Sequence, residues 1–221
     1  SRAALLTGCY PHQNGMTGLA HRGFRLHDYG QHLVNTLHEH GYTSALSGMQ
    51  HITTQPEEIG YRQILSTDPY NAVEPAVEWL RNAPQQPWFL AVGLGETHRT
   101  FPEPRRLDNP IYTLPPAPLP DTPETRHDMA CFHASAHRMD EKMGAVLDAL
   151  EHYGLADRTL VICTTDHGIA FPRMKCNLHD SGIGVMLIMR GPGGFTGGRV
   201  CDALVSHVDL FPTVCDVAGI P

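Results

Sequence analysis

The sequence predicts an α/β fold in which a mostly parallel central sheet has helices on both faces. Three observations support this prediction. Short apolar runs such as residues 88–94 and 160–163 are typical of buried strands. The stretches between them have the spacing of amphipathic helices, and such alternation is typical of a parallel sheet covered on both sides. At 221 residues, the chain is long enough for one domain with a sizeable core.

The first half of the chain is expected to contain three helices and two strands. Ser1 can cap a short helix that Gly8 ends. Leu33, Val34 and Leu37 lie on one face of another helix. The predicted elements are a helix at 1–6, a turn at 10–15, a helix at 31–40, a strand at 43–46, a helix at 71–82 and a strand at 88–94.

The second half begins with a proline-rich connector. Residues 101–123 contain eight prolines, which is typical of an extended segment that crosses the surface. The longest helical pattern follows it, with Gly154 as its end. The predicted elements are a helix at 125–153, strands at 160–163, 183–189 and 203–205, and a helix at 210–217.

Charge and composition exclude several classes of protein. The formal net charge of −7 argues against nucleic acid as a partner, because no basic stripe is present to neutralise phosphates. No apolar run approaches the length that spans a membrane. The six cysteines show no C-x-x-C pair and no zinc-finger spacing. Fifteen histidines beside sixteen lysines and arginines leave metal or acid–base chemistry open.

Polar side chains follow three predicted strands at the point where each strand ends. His51 follows the first strand, His98 follows the second, and Asp166 with His167 follows the third. The carboxyl ends of parallel strands share one crevice, where ligands bind. Any one of these histidines alone is more consistent with an ordinary surface position, but histidines at three corresponding strand ends indicate a site.

The residue types at these ends indicate hydrolysis of an anionic ester. Adjacent Asp166 and His167 suit a divalent cation, although a solvated turn is the alternative for this dipeptide alone. Lys175, Arg99 and Arg2 provide positive charge for substrate oxygens. The histidines can donate or accept protons at the nucleophile and the leaving group.

Motifs spread over nearly the whole chain resemble those of the sulfatase family, within the alkaline phosphatase superfamily. Residues 1–8 (SRAALLTG) are similar to the second half of the signature C-x-P-S-R-x-x-L-L-T-G. T-D-H-G at 165–168, with Lys175, resembles the metal and lysine segment of the family. The stretches 12–16 and 168–172 resemble its sulfamidase-like branch. The resemblance implies an alkaline-phosphatase-like fold and a metal-dependent hydrolase of sulfate esters or sulfamates.

The resemblance also implies a role for each candidate residue. It implies that the substrate is a small sulfated sugar or aryl sulfate. It also leaves open a homodimer. It favours a periplasmic or secreted location. Carried over position by position, the roles are Asp166 and His167 as metal ligands, Lys175 and His98 as sulfate ligands, Arg99 as a further substrate-binding cation, and His51 and Arg2 as contacts of the nucleophile.

The implied cofactors are one divalent cation and a modified nucleophile. Shells made of oxygen ligands favour Ca²⁺, which the resemblance supports, whereas an imidazole ligand favours Mn²⁺ or Zn²⁺. The nucleophile would be a formylglycine three residues before Ser1. Residues 1–221 are therefore expected to be a fragment of a single sulfatase-type domain. This fragment would lack the N-terminal strand, the nucleophile and the C-terminal part, and would be inactive in isolation.

Two positions depart from the family pattern. Met49 stands in G-M-Q-H where the family usually has G-K-x-H, and loss of such a charged contact costs about 1.5–3 kcal/mol. His167 stands where many members have Asn and where related phosphonate and phosphodiester hydrolases have His. Two alternatives therefore stay open: a phosphodiester or phosphonate monoester hydrolase of the same superfamily, and a non-catalytic, degenerate sulfatase.

Overall fold

The computed structural model describes residues 1–82 and 84–221, which form seven α-helices and five strands. The helices are α1 (Arg2–Thr7), α2 (Pro11–Asn14), α3 (Leu33–Glu39), α4 (Val73–Arg81), α5 (Pro123–His152), α6 (Asp180–Ile183) and α7 (Leu210–Val217). The strands are β1 (Thr43–Gly48), β2 (Gln63–Ser66), β3 (Trp88–Gly93), β4 (Val161–Thr164) and β5 (Leu187–Arg190).

Strands β1, β2 and β3 form a parallel sheet with β1 in the centre. Successive residues of β1 point to opposite faces. Ala45 packs in a cluster with Leu80 of α4 and Leu150 of α5, whereas Leu46 packs in a cluster with Val34 of α3. The predicted parallel sheet with helices on both faces is therefore confirmed.

The strand predicted at 160–163 lies in a second, separate sheet. This strand, β4, pairs with β5 in antiparallel register, with Val161 opposite Arg190 and Thr164 opposite Leu187. All four residues of β4 are half-buried, so the strand is not covered completely on both faces as its apolar sequence predicted. The expectation that it continues the parallel sheet does not hold within the described residues.

Two further strand predictions are wrong in part. The run 183–189 is divided, because helix α6 ends at Ile183 and β5 starts only at Leu187. Residues 203–205 form no strand within the described part of the chain. Leu204 is fully exposed, and an apolar run without a neighbouring strand cannot form the hydrogen bonds of a sheet.

Helix α5 is the longest element, with 30 residues. It starts at Pro123, where the hydroxyl of Thr122 accepts a hydrogen bond from the amide of Thr125 at 3.3 Å. The connector before it has no strand and carries one short 3₁₀ turn, Pro110–Tyr112. Within the described ranges, α5 and the other helices lack the combination of length and hydrophobicity needed to cross a membrane.

Candidate active site

The carboxyl ends of β1 and β3 lie directly beside each other. The amide of Met49 donates a hydrogen bond to the carbonyl of Gly93 at 2.9 Å. Gly48 has a φ of 92°, and a Cβ at this position would lie 2.2 Å from the same carbonyl oxygen. Glycine is therefore required for this close approach. The loops that carry His51 and His98 consequently start at one edge of the sheet.

The first two residues of the chain connect the end of β1 to the end of β4. The hydroxyl of Ser1 donates a hydrogen bond to the carbonyl of Asp166. One terminal nitrogen of Arg2 donates to the carbonyl of Met49 at 3.0 Å, and the other lies 3.7 Å from the sulfur of Met49. Burial lowers the pKa of Arg2, while the charge of Asp166 opposes this change. The candidate residues of two separate sheets are thus brought together by α1.

Arg99 connects the loop after β3 to the loop after β4. Its Nε donates to the carbonyl of Ala170 at 2.8 Å, and its two terminal nitrogens bind both oxygens of Asp128. Its guanidinium also lies 4.5 Å from the ring centroid of Phe101 and 5.0 Å from that of Phe171. The hydrogen bond with Asp128 raises the pKa of Arg99. The charge of this predicted substrate ligand is therefore already paired with a carboxylate.

His51 lies within the electrostatic influence of several candidate groups. Burial lowers its pKa, and so do the charges of Arg2, His21 and His98, whereas Asp166 acts in the opposite direction. Because charge effects weaken with distance, these groups share one region. At neutral pH the imidazole is uncharged and has a nitrogen that can accept a proton. Its φ of 56° is also unusual for a residue other than glycine, and such strain is common at functional sites.

Asp166 and His167 present two ligand atoms to the same space. Nδ1 of His167 lies 2.8 Å from the carbonyl of Gly168, which assigns the proton to Nδ1 and leaves Nε2 as an acceptor. This Nε2 lies 3.5 Å from Oδ1 of Asp166. Two atoms at this separation can bind one cation, so the pair fits part of a metal shell. Since Ca²⁺ takes about 6–8 ligands, most of its shell would have to come from other groups.

The remaining two predicted sulfate ligands are His98, in the loop after β3, and Lys175, in the loop after β4. Nδ1 of His98 hydrogen-bonds the carbonyl of Arg99 at 2.6 Å, so Nε2 is the nitrogen left for a substrate. The backbone of Lys175 bonds to the carbonyl of Ile169 at 3.2 Å. In the part of the chain that the structure describes, its ammonium group has no hydrogen bond or ion pair.

Two further histidines lie near the site and were not predicted from the sequence. Nε2 of His207 donates to the carbonyl of Thr165 at 3.0 Å, and burial lowers the pKa of this histidine. The ring of His21 packs edge-on against His51, with 6.4 Å between centroids. Both follow irregular segments rather than apolar strands. The sequence feature that could have drawn attention to His207 is the capping box of its 3₁₀ turn, formed by Ser206 and Asp209.

Together, the fold and the site define a class of protein: an α/β protein in which histidines, basic side chains and a carboxylate lie in the loops after the strands. The sulfatase family model matches residues 1–220, and the chain belongs to the sulfatase family. The resemblance seen in the motifs is thereby confirmed.

Individual relatives support the same family. The chain is 32% identical to human N-sulphoglucosamine sulphohydrolase over 258 residues, which cover 100% of this chain and 51% of that protein. It is 34% identical to an ulvan-active sulfatase of Formosa agariphila over 108 residues, or 49% of this chain and 18% of the relative. The chain thus spans about half the length of the human relative.

Solved structures share the fold. One was determined in complex with its substrate D-glucosamine-2-N,6-O-disulfate and has a TM-score of 0.77 at 18% identity. The similarity covers 100% of this chain and 66% of the solved one. At this level of identity the comparison concerns the fold, and the alkaline-phosphatase-like architecture predicted from the sequence is confirmed.

Proposed function

We propose that the chain forms part of the catalytic domain of a metal-dependent hydrolase of sulfate esters or sulfamates. The observation that carries this proposal is the convergence of the strand ends. Ser1 and Arg2 connect the ends of β4 and β1, and Arg99 connects the loops after β3 and β4. Membership of the sulfatase family agrees with the chemistry of these side chains.

The proposed substrate is a sulfated amino sugar. The human relative is named as an N-sulphoglucosamine sulphohydrolase, and a solved neighbour binds a glucosamine disulfate. Lys175 would bind sulfate oxygens, because its ammonium has no other partner among the described residues. Nε2 of His98 would bind a sulfate oxygen when the ring carries a proton on both nitrogens, since Nδ1 already donates to the carbonyl of Arg99. Asp166 and His167 would hold a divalent cation, which supplies further positive charge at the sulfate. Ca²⁺ is the proposed ion, although an imidazole ligand also suits Mn²⁺ or Zn²⁺.

The proposed nucleophile is a formylglycine side chain three residues before Ser1, as the family signature implies. Because Ser1 contacts the carbonyl of Asp166, a residue shortly before it would lie near the Asp166–His167 pair. His51 would hydrogen-bond the nucleophile, and its lowered pKa keeps it neutral and able to accept a proton. Arg2 would stabilise the negative charge that develops there. Arg99 acts in this proposal by positioning the loop of His98, since Asp128 already binds its guanidinium.

The chain is proposed to be one part of a single domain in a longer protein. Without the upstream nucleophile, residues 1–221 alone are expected to show no turnover. A periplasmic or secreted location and a homodimer remain predictions from the family.

The proposal is tested with the full-length protein and its variants Lys175→Ala and Asp166→Asn. Each is expected to lower the turnover of an aryl sulfate or of N-sulfoglucosamine by about 10²-fold or more, because each removes charge that the transition state needs. Asp157→Asn and Arg158→Ala are matched controls, because both side chains are exposed. Activity in Lys175→Ala and Asp166→Asn equal to that of these controls would remove the assignment.

A phosphonate monoester or phosphodiester hydrolase is the second candidate. Met49 favours it, because a thioether and a backbone carbonyl face Arg2 where the sulfatase pattern has a lysine. Sulfate and phosphonate esters should therefore be compared with Ca²⁺ and with Mn²⁺. Faster turnover of the phosphonate ester would favour this candidate, whereas a gain in sulfate turnover in Met49→Lys would favour the sulfatase.

A further inference from the structure

Three different metal-binding side chains meet at the start of the connector. Sγ of Cys131 lies 3.6 Å from Nε2 of His127, and this nitrogen lies 3.8 Å from Oε2 of Glu103. All three ligand atoms are within 4.8 Å of one another. His127 and Cys131 are four residues apart on α5 and therefore share one face of the helix, whereas Glu103 comes from the connector.

Two of the three separations are close to those of a tetrahedral shell. Zinc binds sulfur at about 2.3 Å, imidazole nitrogen at about 2.0–2.1 Å and carboxylate oxygen at about 2.0–2.2 Å. Tetrahedral angles then place neighbouring ligand atoms roughly 3.3–3.6 Å apart. The observed distance between sulfur and nitrogen matches this range, and that between nitrogen and oxygen exceeds it by only a few tenths of an ångström.

The donor set and its exposure indicate which cation fits. A thiolate, an imidazole and a carboxylate suit Zn²⁺, whereas Ca²⁺ and Mg²⁺ require oxygen ligands. Cys131 is 8% exposed and forms the buried side of this three-residue cluster. The side chains of His127 and Glu103 are 52% and 88% exposed, which leaves an entry path and room for water as a fourth ligand.

We propose that Glu103, His127 and Cys131 form a binding site for Zn²⁺, separate from the Asp166–His167 pair. A bound ion would fasten the start of the connector to α5. It would do so next to Phe101, whose ring lies 5.6 Å from that of Phe132 on the same helix. The site therefore adds a cross-link at the segment that continues from the loop of His98.

Cobalt is a direct probe of this site, because Co²⁺ occupies tetrahedral zinc sites and a thiolate ligand gives it a charge-transfer band in the near ultraviolet. The full-length protein and Cys215→Ser are expected to show this band together with tetrahedral visible bands. Cys131→Ser is expected to lose the charge-transfer band. Cys215 is the matched control, because it is also 8% exposed but lies in α7. Absence of the band in the unmodified protein, or its persistence in Cys131→Ser, would overturn the proposal.

A second variant excludes a simple folding defect. Glu103→Gln changes an exposed side chain and is expected to leave the fold intact. In calorimetric titrations with Zn²⁺ in an Asp166→Asn background, the Glu103→Gln change should weaken binding by about tenfold or more. Unchanged affinity in this variant would contradict the assignment of the carboxylate.

Discussion

His32 is expected to make the protein sensitive to acid. Its side chain is fully buried, with Nδ1 accepting a hydrogen bond from the amide of Val34 at 3.1 Å. In the described residues, Nε2 has no hydrogen-bond partner, and the ring packs edge-on against Tyr61. Burial lowers the pKa of His32 from 6.5 to about 3, because a charged imidazole would have no solvation there.

The direction and size of the effect follow from this pKa. Below pH 6.5 the unfolded chain takes up a proton at His32 that the folded protein does not bind until about pH 3. The free energy of unfolding therefore falls as the pH decreases through this window and is unaffected above it. At about 1.4 kcal/mol for each pH unit, the loss is about 3 kcal/mol at about pH 4.5 and approaches about 5 kcal/mol near pH 3.

Urea denaturation at about pH 7 and about pH 4.5 measures this loss in the wild type and in His32→Asn. Asparagine keeps a cap acceptor for the amide of Val34 and does not titrate. His152→Asn, at the exposed end of α5, is the control and should keep the wild-type pH dependence. The wild type should lose about 3 kcal/mol more than His32→Asn over this interval. Parallel pH profiles for the two proteins would refute the reasoning.

Two further predictions concern the support of the site. Lys142→Met should lower the free energy of unfolding by about 3 kcal/mol, because the ammonium lies 2.7 Å from the carboxylate of Glu96, which is only 9% exposed. Partial recovery in the double variant with Glu96→Gln would confirm this cause, and no recovery would contradict it. Gly48→Ala should destabilise by more than about 3 kcal/mol, since its Cβ would collide with the carbonyl of Gly93, whereas Gly144→Ala in open space should stabilise by about 1 kcal/mol. Equal thermal stability of the two alanine variants would show that the strand ends are less tightly constrained than described.

Much of the fold could be predicted from local sequence signals. The helix predicted at 210–217 matches α7, and the strand at 88–94 matches β3 within one residue. The antiparallel pairing of β4 with β5 was not predictable in the same way. An apolar run identifies a strand, but its neighbour and direction depend on contacts with residues far away in the sequence.

The candidate site was predictable in its members but not in the contacts that join them. Residues after strand ends identified His51, His98 and Asp166. The sequence could not show that Arg99 binds Asp128, because the two residues are 29 positions apart. It also suggested one continuous sheet, whereas in the described residues Val161 of β4 joins β1 only through the apolar cluster of Ala45. Polar contacts of residues 1–2 and Arg99 link the loops at the strand ends.

Binding of inorganic sulfate to the full-length protein tests most directly whether the strand ends form one anion site. The ring signals of His51 and His98 in NMR spectra, assigned with His51→Gln and His98→Gln, should both shift with the same apparent dissociation constant. Lys175→Ala should weaken both responses equally. A shift of one histidine without the other, or two different dissociation constants, would contradict a common site.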